Sequence, residues 1–156
     1  MQVSEIAEKL VRQKQSGQST ILFLGAGASV TANIPTTRGI VQYINESSEF
    51  DHIENPGSQN YFDIMGQLEP GERKKLLSHF INKAKINETH FIAGQLMRLG
   101  YIDCIITTNF DPLIENSTNL FHTNYHTIDV VNNVSLTGHS VTFPSIIYLH
   151  GKYRNV

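Results

Sequence analysis

The 156-residue chain predicts an α/β fold on a mostly parallel sheet, and three observations carry that prediction. Short, unbroken apolar runs recur along the chain, each too brief for a buried helix and suited to a strand inside a parallel sheet. Longer stretches with apolar residues at helical spacing alternate with them, the order expected of βαβ units. No repeat, low-complexity tract or interdomain linker interrupts the alternation, and the length is that of one domain.

Within residues 3–15, Ile6, Leu10 and Val11 predict a short amphipathic helix, ended by Gln18, Ser19 and Thr20. Thr20–Leu24 (TILFL), closed by Gly25, predicts a first strand covered on both faces. Residues 37–47 read as a helix that turns Ile40, Val41 and Ile44 inward. Residues 48–68 are poorly patterned: Asn55-Pro56-Gly57-Ser58 signals a turn, and a loop with at most a short helix is expected. A helix around 70–85 carries Lys and Arg on one face and is expected on the surface. Residues 88–99 repeat the helical pattern through Phe91, Ile92, Leu96 and Leu99, with Gly100 placed as a C-terminal cap. Ile102–Ile106 predicts a second strand, and further strands are expected at Thr127–Val131 and Ser145–Leu149.

Composition narrows the function. Hydrophobic residues make up 40% of the chain, enough for one buried core. Twelve Lys and Arg against fourteen Asp and Glu give a net charge of −2, without the basic footprint of a nucleic-acid or membrane binder, so neither is an expected partner. Cys104 is the sole cysteine, which rules out an internal disulfide and a cysteine-based zinc site and fits a reducing cytoplasm. No apolar run approaches the roughly 18 residues of a membrane span. The N-terminal MQVSEIAEKLVRQKQ lacks a signal peptide's apolar segment, so the expected location is cytoplasmic.

Three stretches carry chemistry. Gly25-Ala26-Gly27-Ala28-Ser29 follows the first strand; glycines there let the backbone approach a ligand, and the start of a following helix can aim N–H groups at a pyrophosphate. The same turn also occurs for packing alone. Val30 stands where the dinucleotide fingerprint has its third glycine, and no Gly-Lys-Ser/Thr occurs, so neither standard phosphate loop fits. Thr107-Thr108-Asn109-Phe110-Asp111 abruptly ends the second apolar strand, where open α/β sheets place ligand groups. Asn109 can donate and accept hydrogen bonds without charge, which suits ribose hydroxyls or an attacking water. Asp111-Pro112 has the composition of a helix start, so Asp111 reads first as a cap. Leu149-His150-Gly151 ends a third apolar run; its histidine can take a proton near neutral pH, although an isolated histidine is more often structural. In a parallel sheet the three stretches would converge on one edge.

In that order these residues resemble the sirtuin family. Gly25-Ala-Gly-Ala-Ser29 with Ile34-Pro35 and Arg38 resembles the family's Gly-Ala-Gly-x-Ser…Gly-Ile-Pro-x-Phe-Arg. Glu88-Thr-His90, leading into Thr107-Thr-Asn-Phe-Asp111, resembles the approach to Thr-Gln-Asn-x-Asp, and Leu149-His150-Gly151 matches the family's catalytic His-Gly. The resemblance runs from about residue 20 to 152 and implies a Rossmann-like three-layer fold with NAD+ as substrate; no metal is expected, because the family's zinc cysteines have no counterpart here. It implies His150 as general base and Asn109 as the group that orients water and ribose. Gly25, Ala26, Gly27 and Ser29 would cradle the pyrophosphate, Arg38 would meet a phosphate or the carboxamide, and Thr108 and Asp111 would complete the binding groups.

Departures refine the expectation. Asn33-Ile-Pro-Thr36-Thr37-Arg38 lacks the family's aromatic residue, Thr108 replaces Gln, and the paired zinc cysteines are absent. These changes argue against protein deacylation and fit the bacterial sirtuin-like branch that hydrolyses NAD+ in antiphage defence. Six residues follow His150, so the fold is expected to be incomplete at its C-terminal end, as a fragment of a longer protein or as a small protein whose site a partner domain or second chain completes; a homo-oligomer is also expected. A domain that binds NAD+ or ADP-ribose without turnover is the alternative, and a deacylase ranks third. His122 and His126 share the i, i+4 spacing of some metal pairs without a third ligand and are expected in turns or on the surface. Cys104 is expected to pack in the core, while Tyr43, Tyr61 and Phe62 suit pocket lining and core packing equally.

Overall fold

Each expected apolar run forms a strand. The computed structural model describes residues 2–54, 60–131 and 141–153; the turn signal at Asn55–Ser58 lies outside them. Strands β1 (Ile21–Leu24), β2 (Cys104–Thr107), β3 (His126–Asp129) and β4 (Ser145–Tyr148) make one sheet in the order β1-β2-β4-β3. Every pairing is parallel, with Leu24, Thr107, Tyr148 and Asp129 side by side at the carboxyl ends. This is the α/β architecture that the alternating pattern predicts.

The helices are α1 (Val3–Gln15), α2 (Thr37–Glu46), α3 (Tyr61–Gln67), α4 (Pro70–Ile81), α5 (Glu88–Arg98) and α6 (Leu113–Leu120). Short 3-10 segments span Ala26–Ala32 and Ser48–Phe50, so the glycine turn runs into a 3-10 segment where an α-helix start was expected. The chain folds as two compact units, Met1–Ala28 with Ile86–Val156, and Ser29–Lys85.

In the first unit, Leu24, Ile105, Ile146 and Tyr148 from the sheet pack with Ala93 and Met97 of α5 and Ile114 of α6. Here one expectation is corrected. Phe91, Ile92 and Leu99 are exposed, and the buried face of α5 consists of His90, Ala93, Gly94 and Met97. Small residues win because α6 comes close: a Cβ on Gly94 would lie 2.6 Å from Ser117 Oγ and 3.1 Å from its carbonyl carbon. Ser117 Oγ donates to the His90 carbonyl at 2.7 Å across the same contact. Asn87 caps α5 by accepting from the His90 N–H, and Gly100 closes it at φ 68°, donating to Met97 O while Tyr101 N–H reaches Leu96 O.

The expectation that β1 is covered on both faces is also corrected. Leu24 is buried, but Ile21 is 57% and Phe23 60% exposed. Phe23 stands level with Ile106, Ile147 and Ile128, all half-buried, so one face of the sheet carries an apolar row open to solvent. Cys104 is buried as expected, accepting from Ser145 Oγ at 3.4 Å.

In the second unit, α2 buries Ile40, Val41 and Ile44 as its spacing predicts. Helix α4 starts at Pro70 behind Glu69, whose N–H donates to Glu72 at 2.9 Å, and exposes Arg73, Lys74 and Lys75. Tyr43 packs edge-on against Phe50 and Phe80, whereas Phe62 is exposed. Among the described residues no helix is long and apolar enough to cross a membrane.

Candidate functional site

Parallel strands in register end at one level, so the residues after Leu24, Thr107 and Tyr148 leave the sheet side by side. The three chemical motifs therefore share one edge of the sheet, on the adjacent strands β1, β2 and β4. Hydrogen bonds extend the strand pairing beyond the sheet. Thr108 N–H donates to Leu24 O at 3.2 Å, Leu149 N–H to Thr107 O at 2.9 Å, and Tyr153 N–H to Phe110 O at 2.8 Å. The last two bonds bracket Asn109 on one segment and His150 on the other.

At this edge Gly25 is half-buried, and a Cβ there would meet Thr108 Oγ1 at 3.8 Å. Ala26 and Gly27 are exposed; a Cβ on Gly27 would meet nothing within 4 Å, leaving room for a bulky group against the turn. Ala28 N–H is used within the turn, donating to Gly25 O at 2.9 Å. Asn109 is held by its own N–H, which donates to Thr107 Oγ1 at 3.0 Å, and it is 9% exposed. His150 is exposed in the turn after β4, and Gly151 adopts φ 84° behind it. Asp111 is buried, and its Oδ1 accepts from Leu113 N–H at 3.1 Å, the capping contribution its neighbour Pro112 cannot make.

Ser29 and Arg38 belong to the second unit. Ser29 is buried and its carbonyl accepts from Ile34 N–H at 3.2 Å; Arg38 is exposed in the first turn of α2. His122 is exposed with φ 51°, and His126 is exposed at the start of β3. Among the described residues no group of three or more His, Cys, Asp or Glu side chains is placed to hold a metal ion.

Behind the edge lies a polar layer that sequence reading missed. Glu115 of α6, 9% exposed at its side chain, forms an ion pair with Lys152 and accepts from Thr127 Oγ1 at 2.8 Å. Buried Asp129 accepts from Val131 N–H and Lys152 N–H, each at 3.2 Å. Burial, then the charges of Glu115 and Asp111, push the Tyr148 phenol far up, so it stays protonated and its hydroxyl donates to Asp111 O at 3.4 Å. Burial lowers the His90 pKa and the nearby Asp111 carboxylate partly opposes that shift. The only signal for this layer was a charged residue, Asp129, inside an otherwise apolar run.

The chain is 31% identical over 117 residues to the NAD-dependent protein deacetylase of Sulfolobus acidocaldarius, a match over 72% of this chain and 42% of that protein. It is 29% identical over 112 residues to the NAD-dependent protein deacetylase of Saccharolobus solfataricus, covering 69% of this chain and 41% of the relative. The chain thus spans about two fifths of the length of these relatives. No protein-family model matches it.

Proposed function

We propose that this chain is a sirtuin-like, NAD+-binding domain that hydrolyses the nicotinamide–ribose bond of NAD+, as the sirtuin-like enzymes of antiphage defence do. The observation that carries the reading is the pair of hydrogen bonds bracketing Asn109 and His150, on neighbouring strands β2 and β4, the first of which lies beside β1 and its glycine turn. The similarity to two proteins named NAD-dependent supports the substrate.

In this reading the glycine turn of Gly25, Ala26 and Gly27 receives the pyrophosphate. Asn109 orients the ribose and a water. That water adds to C1′ as the bond from C1′ to the pyridinium nitrogen breaks. Nicotinamide leaves with the bonding pair, and the proton lost by the water passes to the His150 imidazole. The transition state is oxocarbenium-like, so the uncharged Asn109 amide suits it better than a cation would. Thr108 and Asp111 complete the polar corner, Asp111 from beneath.

In the intact protein, His150→Ala and Asn109→Ala are each expected to slow nicotinamide release by about 10²–10⁴-fold. Wild-type protein that binds NAD+ and leaves it whole overturns the hydrolase and leaves a binding module. The names of the two relatives favour one second reading, NAD+-dependent deacylation. It predicts nicotinamide release only when an acyl-lysine peptide is present.

A further inference from the structure

The His150 turn is anchored more heavily than a surface turn requires. Leu149 is bonded to Thr107 on one side, and Lys152 and Tyr153 are bonded to Asp129 and Phe110 on the other. Lys152 is gripped twice. Its N–H donates to Asp129 Oδ2, and its ammonium pairs with Glu115, whose second oxygen is fixed by Thr127. Asp129 Oδ1 meanwhile takes the Val131 N–H, so one buried carboxylate ties the ends of β3 and of the β4 turn together. Between the anchors, Gly151 sits at φ 84° with Val131 3.4 Å from where its Cβ would be, a conformation that a side chain would strain.

Burying a carboxylate and an ion pair is a poor route to stability, because desolvation offsets the Coulomb attraction and an apolar pair would serve as well. What such groups supply is a single geometry. We propose that Asp129 and the Glu115–Lys152 pair are positioning residues that fix the His150 imidazole against the Asn109 corner. This rests on His150 being the base in the proposed hydrolysis, since Asp129, Glu115 and Lys152 act through the turn rather than on the substrate.

The test uses Asp129→Asn, Glu115→Gln and Lys152→Met in the intact protein, with Lys152→Arg as the conservative variant that keeps the charge facing Glu115. Misplacing a catalytic group by about 1 Å costs on the order of 10²-fold, so kcat is expected to fall by about that factor in the first three, with KM for NAD+ held and Lys152→Arg largely restored. Backbone relaxation of the Gly151 amide, measured by NMR without substrate, is expected to show added motion in the same three variants. Wild-type kcat in folded Glu115→Gln and Lys152→Met, while His150→Ala slows cleavage by the factor expected above, overturns the positioning role and leaves the hydrolase intact. Full cleavage by His150→Ala overturns the hydrolase reading of His150 instead. An unchanged Gly151 amide in Lys152→Arg and Lys152→Met alike overturns the anchoring without reference to catalysis.

Discussion

Gly94 offers a test of sign at the scale of one residue. Replacing a glycine inside a helix with alanine ordinarily stabilises by about 0.5–1 kcal/mol. At Gly94 the new methyl would meet Ser117 Oγ at 2.6 Å, and that hydroxyl cannot swing away freely because it donates to the His90 carbonyl. Gly94→Ala is therefore expected to destabilise by about 1–3 kcal/mol, read as a lower urea midpoint with an unchanged slope. His90, on the same face, gives a pH dependence. Its folded pKa is lowered from 6.5 by burial, so the unfolded chain takes up the proton first. The stability contributed by the neutral ring is complete above pH 6.5 and is lost as pH falls from 6.5 toward the lowered value. Urea midpoints of His90→Gln should accordingly decline less than wild type on acidification below pH 6.5. The positions of Gly25, Asn109 and His150 just past the carboxyl ends of strands were legible, because each follows the end of an apolar run. Glu115, Asp129 and Lys152 were not, because each is defined by a partner distant in the chain.

Among the elements, the two longest helices of the first unit end in the same way. Gly17 at φ 69° follows α1 and Gly100 at φ 68° follows α5, and in each the next residue's N–H turns back to a carbonyl of the last turn. Gly100→Ala is expected to lower stability by about 1–2 kcal/mol, since a Cβ resists the left-handed conformation. Gly71→Ala in the first turn of α4, where nothing lies within 4 Å of the new methyl, should raise the melting temperature and serves as the opposite control. Gly100 could be read from sequence because glycine at a helix end has one main use. The buried face of α5 could not: Phe91, Ile92 and Leu99 have the hydrophobicity of core residues, yet α6 lies too close for them and selects Ala93 and Gly94. Spacing reveals that a helix has a preferred side, whereas the neighbour's distance decides which side.

For the whole molecule, the alternation of helices and short apolar runs was enough to yield a parallel sheet, because parallel strands need long crossovers. The division into Met1–Ala28 with Ile86–Val156 and Ser29–Lys85 was not legible, since the first crossing falls inside the glycine turn that reads as a ligand loop and the second, at Lys85–Ile86, has no Gly, Ser or Pro beside it. The open row at Phe23 was hidden for a related reason: an apolar run looks the same whether one or both of its sides are covered. The strand order has an effect on how the protein is made. β4 lies between β2 and β3, yet it is the last of the four to be synthesised. β2 and β3 each pair with β4 and not with each other, so neither of their facing edges has its partner until Ser145–Tyr148 exists. Unpaired strand edges of that kind are where wrong pairings and aggregation begin, so the last strand to be made is the one that removes the hazard.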